Sequence, residues 1–106
     1  MGLKKIKPII DNYLKKVTNK LAVHQVILFG SYAQGKAGKD SDIDLLIISQ
    51  DFAKMDDDDR LKVLYRLSVG FPYNLHVYGI TPDELLHASP LTTLSEIKKY
   101  GIPLIS

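Results

Sequence analysis

The sequence predicts an α/β fold of the α+β kind, in which a small mixed β-sheet carries helices mainly on one face. Two observations predict it. Short apolar runs rich in β-branched residues alternate with longer segments whose apolar residues recur every three or four positions. The length of 106 residues allows one core of two or three layers. We therefore expect a single domain, residues 1–106, with no second domain for substrate recognition.

Five helices are predicted, four of them from their own periodicity or start signal. Residues 3–20 carry apolar side chains at helical spacing with lysines on the opposite face, and Pro8 predicts that the regular helix begins near it. Acidic residues open the segment 57–70, where the helix dipole favours them. The segments TPDE (81–84) and SP (89–90) combine an N-cap hydroxyl with a proline, which predicts that a helix starts at each.

Four strands are predicted from the short apolar runs. Four consecutive aliphatic residues, 45–48, require cover on both faces of a sheet. We expect residues 31–34 to open a short helix and residues 35–41 to form a polar loop. The predicted strands are residues 24–29, 42–49, 73–78 and 102–105, the last at a sheet edge.

The composition is that of an ordinary globular protein and excludes several kinds of site. Hydrophobic residues make up 45% of the chain, charged residues 25%, and the formal net charge is +2. This small excess does not indicate a nucleic-acid or membrane partner. The absence of cysteine excludes disulfides, thiolate zinc sites and cysteine nucleophiles, and a cytoplasmic location is expected. No apolar run approaches the roughly 18 residues of a membrane helix, and no secretory signal is recognised.

Two carboxylates, Asp42 and Asp44, open the second predicted strand. Because the side chains of residues i and i+2 point to the same face of a strand, these carboxylates are expected side by side. They repel each other unless a cation lies between them. Magnesium binds oxygen ligands and often takes only one or two protein carboxylates together with substrate phosphates and water. The pair therefore predicts a metal site that is used with a nucleotide.

Gly30 and Ser31 form the turn after the first predicted strand. A glycine lets the backbone approach a ligand closely, and free N–H groups at a helix start bind anions such as phosphate. Ser31 adds a hydroxyl donor. Either feature alone is more often an ordinary solvated turn, but a Gly-Ser turn followed ten residues later by Asp-x-Asp, between two apolar strands, is far more restrictive. Together they predict a site for a metal-bound triphosphate.

The stretch GSYAQGKAGKDSDIDLLI, residues 30–47, resembles the hallmark of the nucleotidyltransferase superfamily of the DNA polymerase beta type, specifically its minimal nucleotidyltransferases (MNT). The resemblance implies the palm-like nucleotidyltransferase fold and a mechanism with two magnesium ions. It implies that Asp42 and Asp44 hold magnesium and that Gly30 and Ser31 bind the β- and γ-phosphates of ATP. An acceptor hydroxyl would then attack the α-phosphate.

The chain departs from this family at two places. The third carboxylate that active members carry on the next strand aligns with Asn74, with His76 two residues later. Asn74 is a weak magnesium ligand that cannot accept a proton, whereas His76 is a candidate base or an ordinary surface histidine. Gln34 stands where the family often has an arginine facing the triphosphate, and Lys36 or Lys39 is the candidate replacement from the loop.

The resemblance leaves two main functions open. The first is Mg-dependent transfer of AMP to a protein hydroxyl, in particular a tyrosine of a helical HEPN-domain toxin that this chain neutralises as antitoxin. The second is a weak or inactive nucleotidyltransferase that neutralises its HEPN-type partner by binding alone, which Asn74 favours. Transfer to an aminoglycoside is a poorer hypothesis, because such enzymes resemble this chain only in their first domain.

Two other features have simpler interpretations. The acidic run 56–59 is interpreted as a solvated helix start rather than a cation site. Tyr32 follows the phosphate turn, where it either stacks on a base or packs under the turn.

Overall fold

The computed structural model describes residues 3–38, 41–90 and 92–105 of the protein. These ranges form α1 Leu3–Lys20, β1 Val23–Phe29, β2 Ile43–Ser49, a 3-10 helix Gln50–Lys54, α2 Asp57–Arg66, β3 Leu75–Ile80, α3 Pro82–Leu86, α4 Thr93–Tyr100 and β4 Ile102–Ile105. Among the described residues, no helix is both long and apolar enough to cross a membrane.

The four strands form one mixed sheet in the order β3-β2-β1-β4. β1 runs antiparallel to β2 and β4, whereas β2 and β3 are parallel. The register pairs Phe29 with Asp44 across β1 and β2, and Asp44 with His76 across β2 and β3. The end of β1 and the starts of β2 and β3 therefore meet at one end of the sheet. The mixed α/β class predicted from the sequence is confirmed.

The two longest helices, α1 and α2, cover one face of the sheet. The buried residues of α1 follow helical spacing, which directs a single apolar stripe at the strands. The stripe packs in one cluster with alternate strand residues and with side chains from α2 and the 3-10 helix. Its buried members include Ile6, Ile10, Tyr13, Leu14, Val17, Val26, Leu28, Ile43, Leu45, Ile47, Phe52, Leu64 and Val77.

The shorter helices α3 and α4 lie against the opposite face, where they close a second, smaller cluster. Its buried members are Ile27, Leu46, Ile48, Ile80, Leu85 and Ile97. Because side chains alternate between the faces of a sheet, Asp44 points to the same face as Leu46. The prediction placed the helices mainly on one face, whereas the structure has α1 and α2 on one face and α3 and α4 on the other, with the acidic pair on the α3/α4 face.

Arg60 connects α2 to the start of α3. Its buried guanidinium donates to the carbonyl oxygens of Met55 and Gly79 and forms an ion pair of 2.7 Å with Glu84. Glu84 also accepts from the backbone N–H of Thr81, while the Thr81 hydroxyl accepts from the N–H of Glu84. This capping box begins α3 where the sequence predicts a helix start. Helices on opposite faces of the sheet are therefore linked through one side chain.

Helix boundaries differ from the sequence prediction in α1, α2 and α4, and in the last two cases side chains bond to nearby backbone in competition with the helix. α1 begins at Leu3, with Pro8 inside it, rather than near Pro8. α2 ends at Arg66 instead of continuing to residue 70. There the Ser68 hydroxyl donates to the carbonyl of Tyr65, and the chain turns away from the helix axis.

α4 begins at Thr93 rather than at the Ser-Pro segment 89–90. The hydroxyl of Thr92 accepts from the N–H of Ser95, so Thr92 is the N-cap. The same hydroxyl donates to the carbonyl of Ser89, which makes the preceding residues a turn.

The 3-10 helix after β2 was not predicted. The hydroxyl of Ser49 accepts from the N–H of Asp51, and the Asp51 carboxylate accepts from the N–H of Ala22. These bonds turn the chain sharply and bury Phe52 completely. A serine followed two residues later by aspartate is the local signal that could have indicated this turn.

Candidate active site

The turn after β1 brings the backbone into contact with one carboxylate. Gly30 has φ +77°, a left-handed conformation that favours glycine. The carboxylate of Asp44 lies directly against this glycine, so a Cβ atom at position 30 would overlap the Oδ2 atom of Asp44. The pairing of Phe29 with Asp44 across β1 and β2 produces this contact. The Gly-Ser turn and the acidic pair are therefore neighbours.

The backbone of the same turn has free N–H groups. The N–H groups of Gln34, Gly35 and Lys36 donate to the carbonyl oxygens of Gly30, Tyr32 and Ser31 respectively, which gives a tight turn rather than the predicted helix. The N–H groups of Ser31, Tyr32 and Ala33 have no acceptor among the described residues. Successive free N–H groups in a turn form an anion-binding concavity. The turn can therefore bind phosphate through its backbone.

Asp42 and His76 form a close pair beside Asp44. The Nε2 atom of His76 lies 3.1 Å from the Oδ2 atom of Asp42, and both side chains are nearly half exposed, at 48% and 42%. β3 is displaced from the predicted 73–78 to Leu75–Ile80, and its parallel register places His76 opposite Asp44. A ligand approaching the acidic pair therefore also reaches the imidazole.

Asn74, which aligns with the third carboxylate of the family, makes a backbone contact instead. Its carbonyl oxygen accepts a hydrogen bond of 2.9 Å from the N–H of Ile43. Asn74 is exposed, and among the described residues its amide has no hydrogen-bond partner. The side chain from β3 that meets the acidic pair is therefore that of His76.

Asp44 is in an environment that disfavours its charge. Burial raises the pKa of Asp44 above its ordinary value, while His76 lowers it and Asp42 raises it again. Repulsion between the two acids was expected from the sequence, but burial is the larger cause of the raised pKa. A cation bound beside both carboxylates would offset both unfavourable effects.

The available donors fit a magnesium ion that arrives with its own ligands. Asp42 and Asp44 supply carboxylate oxygens, which magnesium prefers. The described residues contain no group of three or more His, Cys, Asp or Glu side chains that could hold a metal ion. Phosphate oxygens and water must then complete the coordination. The chemistry of this donor set suits a metal–nucleotide complex better than a resident metal ion.

An apolar cleft of about 480 Å³ opens on the α3/α4 face beside the acidic pair. Phe29 and Leu46 line it, and they flank Asp44 across and along the sheet. The rings of Phe29 and Tyr78 lie 6.2 Å apart, and Leu94 of α4 closes the other side. Sequence reasoning did not single out Phe29. Its position immediately before the turn glycine was the available signal.

The remaining candidates lie around the turn. Lys36 and Gln34 are exposed, and Lys36 has no ion pair among the described residues. Lys39 lies outside the described residues. Tyr32 is only 4% exposed and packs into the core under the turn, which leaves it unable to stack on a base.

Comparison with known proteins identifies the family. A family model described as a nucleotidyltransferase domain matches residues 10–102. The chain belongs to the nucleotidyltransferase domain family. The resemblance inferred from residues 30–47 is thereby confirmed, and the match extends over the whole sheet apart from the end of β4.

A curated relative of this nucleotidyltransferase domain is named "Putative protein adenylyltransferase MJ1305", from Methanocaldococcus jannaschii. It is 39% identical over 88 residues, which are 81% of this chain and 57% of that protein. The chain therefore spans little more than half the length of this relative.

Two solved structures share the fold of the domain. The crystal structure of a "putative nucleotidyltransferase" from Sulfolobus solfataricus has a TM-score of 0.71 at 19% identity, covering 93% of this chain and 78% of that chain. The crystal structure of a toxin-antitoxin with AMP-PNP has a TM-score of 0.64 at 22% identity, covering 89% and 70% respectively. At such low identities, the likeness establishes the nucleotidyltransferase fold.

Proposed function

We propose that this nucleotidyltransferase domain transfers AMP from ATP to a hydroxyl of a partner protein and thereby acts as an antitoxin. The observation that carries the proposal is the contact between Gly30 and Asp44, which joins a pair of carboxylates to a turn whose three N–H groups have no acceptor among the described residues. A ligand that uses both halves needs phosphate groups and a bound divalent cation. Mg-ATP has both. The relative named as a protein adenylyltransferase supports AMP as the transferred group.

The turn binds the triphosphate in this proposal. Gly30 and Ser31 bind the β- and γ-phosphates through backbone N–H groups and the Ser31 hydroxyl. Lys36 and Lys39 follow within eight residues of Ser31 in the sequence and are proposed to neutralise part of the phosphate charge. Phe29 and Tyr78, at the edge of the apolar cleft, provide a surface for the adenine ring.

Asp42 and Asp44 are the proposed catalytic residues, and together with the phosphates they would hold two magnesium ions. When bound, magnesium neutralises charge on the reacting phosphate and activates the acceptor oxygen. The acceptor hydroxyl releases its proton to water and its oxygen forms a bond to the α-phosphorus, while the bond from that phosphorus to the bridging oxygen breaks and pyrophosphate leaves. His76 orients Asp42 through their contact of 3.1 Å.

The proposed acceptor is a tyrosine of a HEPN-type toxin encoded beside this chain. The MNT resemblance implies this pairing, and a toxin-antitoxin of the same fold supports it. Modification of the toxin would remove its activity, so the chain would act as antitoxin by catalysis.

Label transfer tests the proposal. The chain is incubated with magnesium, its HEPN-type partner and ATP labelled at the α-phosphate. The wild-type chain should label the partner, and Asp42→Asn/Asp44→Asn should reduce the rate by about 100-fold or more, since the charge stabilisation given by bound metal ions is worth several kcal/mol. Asp58→Asn/Asp59→Asn removes the same charge from the exposed start of α2 and should keep the rate. Equal rates in wild type and Asp42→Asn/Asp44→Asn would rule out the enzymatic role.

A second candidate function is neutralisation by binding alone. It is favoured by the absence, within the described ranges, of a third acidic side chain at the pair. The same mixture separates the two functions. If no label is transferred and Asp42→Asn/Asp44→Asn still inhibits the partner fully, the chain acts by occlusion.

A further inference from the structure

A groove of about 470 Å³ runs along α1, on the α1/α2 side of the sheet. One wall is the helix face from Ile9 to Asn19, and the other is the segment 67–72 between α2 and β3. At 1.5 Å per residue the helical wall is roughly 15 Å long, which matches about three turns of a second helix. No residue of this groove belongs to the candidate active site.

The floor of the groove is apolar and held in place. Tyr13 is only 2% exposed, its hydroxyl donates to the carbonyl of Leu64 at 2.8 Å, and its ring meets Phe71 edge-on at 5.9 Å. On the opposite wall Val69 is 75% exposed. A single exposed aliphatic side chain is ordinary on a protein surface, but Val69 stands beside a preformed apolar groove.

The rim of the groove carries positive charge without compensation. Lys15 and Lys16 both line it, and none of the described residues that line it is acidic. α1 as a whole has six lysines and one acidic residue, Asp11, which is paired with Lys7 at 3.1 Å. An occupant that satisfies this groove therefore needs apolar groups for the floor and carboxylates for the rim.

We propose that the groove binds an acidic amphipathic helix of the partner protein. Such a helix lays its apolar face on Ile9, Val69 and Phe71 and directs glutamate or aspartate side chains to Lys15 and Lys16. The proposal rests on the proposed function, because the partner is the protein that supplies the acceptor hydroxyl.

One wall of the groove leads along the chain to the end of the sheet that carries the acidic pair. Its wall, the segment 67–72, continues directly to Asn74, whose carbonyl bonds to Ile43. Ile43 is the neighbour of Asp42 in the chain. A partner held on this wall is therefore anchored at the end of the sheet that carries the acidic pair, although on the opposite face.

Other occupants fit the groove less well. A nucleic acid requires a run of cations along its backbone and exposed rings for stacking, whereas this groove has two lysines above an aliphatic and buried aromatic floor. A second copy of the chain offers as its acidic element the run 56–59 at one helix end, which is not a stripe along a helix. The observations favour a protein helix.

Charge reversal at two positions on the same helix tests the proposal. Partner affinity is measured by calorimetry for wild type, Lys15→Glu/Lys16→Glu and Lys4→Glu/Lys5→Glu, whose exposed lysines lie on α1 outside the groove. We expect a loss of about tenfold or more for the first pair, equivalent to ~1.4 kcal/mol, and less than about twofold for the second. Equal losses for both pairs, or no loss for Lys15→Glu/Lys16→Glu, would overturn the proposal.

Crosslinking identifies the occupant directly. A photoreactive benzophenone amino acid at Val69 should form an adduct with the partner in the complex, and the same group at the exposed Lys98 of α4 should not. An adduct between two copies of the chain, an adduct with nucleic acid, or no adduct at Val69 would each overturn it.

The two proposals fail in distinguishable ways. Lys15→Glu/Lys16→Glu should bind Mg-ATP with wild-type affinity, whereas Asp42→Asn/Asp44→Asn should bind the partner with wild-type affinity. If the groove variant binds the partner normally while label transfer persists, the docking proposal fails and the enzymatic function stands. If Asp42→Asn/Asp44→Asn labels the partner as fast as wild type while Lys15→Glu/Lys16→Glu loses partner affinity, the enzymatic proposal fails and the docking proposal stands.

Discussion

Gly30 combines two constraints at a single α-carbon. Its φ of +77° is unfavourable for residues other than glycine, and the Asp44 carboxylate occupies the position that a Cβ atom would take. Gly35 has a similar φ of +70° but open space around it. Substitutions at the two glycines therefore distinguish backbone strain, which both positions share, from the contact with Asp44, which is made at Gly30.

We predict that Gly30→Ala lowers the affinity for Mg-ATP by at least about tenfold, because the new methyl group must displace the carboxylate that faces the turn. Gly35→Ala should destabilise the fold by about 1 kcal/mol through strain and leave the affinity nearly unchanged. Calorimetric titration and thermal melting of both variants check this. Equal losses of affinity would show that the contact between Gly30 and Asp44 is irrelevant to binding.

The burial of Asp44 lowers the stability of the metal-free protein, and the proposed role of this residue in metal binding explains its position. Burial raises the pKa of Asp44, so its ionised form destabilises the metal-free folded state at neutral pH. The protonated carboxyl of Asp44 is compatible with burial in the folded state. Its contribution to folding stability is therefore lost as the pH rises through the raised pKa of Asp44. An amide at this position avoids the cost.

We predict that Asp44→Asn raises the melting temperature of the metal-free protein at pH 7, although it abolishes the proposed activity. The gain should disappear as the pH falls below about 3.9, the ordinary value for aspartate, where the carboxyl is neutral in both folded and unfolded chains. Thermal melts in chelator across this pH range check the sign. A lower melting temperature for Asp44→Asn at pH 7 would contradict the assignment of burial as the main effect.

At the scale of elements, the 3-10 helix packs tightly on β3. Phe52 is completely buried, and its ring lies so close to Gly79 that a Cβ atom there would be 2.6 Å from the ring. The absence of a side chain at position 79 allows the 3-10 helix to cover the sheet.

We predict that Gly79→Ala lowers the free energy of unfolding by about 1 to 3 kcal/mol, because the ring of Phe52 must shift within a packed core. Gly38→Ala is the matched control, since nothing lies within 4 Å of its Cβ position and its φ is not positive. Denaturant unfolding of both variants is the measurement. Equal stabilities would contradict the close packing of Phe52 on β3.

The order of helices and strands was predictable because each element carries its own local pattern. The α1 stripe, the aliphatic run of β2 and the capping box of α3 are all read from adjacent residues. The 3-10 helix and the early end of α2 were not predicted. They depend on single side chains, Ser49 and Ser68, that bond to nearby backbone in competition with regular structure.

At the scale of the whole molecule, half of the candidate site was predictable. The Gly-Ser turn and the acidic pair are ten residues apart and belong to paired strands, so their contact follows once β1 and β2 form a hairpin-like pair. The proximity of His76, rather than Asn74, to Asp42 depends on the parallel register of β3, which no local pattern specifies. The α1 groove was not predictable either, since its second wall comes from a segment about fifty residues further along the chain.

Charged residues are distributed differently on the two sides of the sheet. Although the net charge is only +2, α1 carries six lysines and one acidic residue on one side of the sheet. The acidic pair lies on the other side, beside the apolar cleft. In our account the first side holds the partner, and the second holds the nucleotide.

The most direct test of the central claim is calorimetric titration of the purified chain with ATP, with and without magnesium. Wild type and Asp58→Asn/Asp59→Asn should bind ATP only when magnesium is present, and Asp42→Asn/Asp44→Asn should bind it at least about tenfold more weakly. Equal affinity in Asp42→Asn/Asp44→Asn, or the absence of magnesium-dependent binding in the wild-type chain, would contradict the assignment of the acidic pair and the Gly30 turn as a metal–nucleotide site.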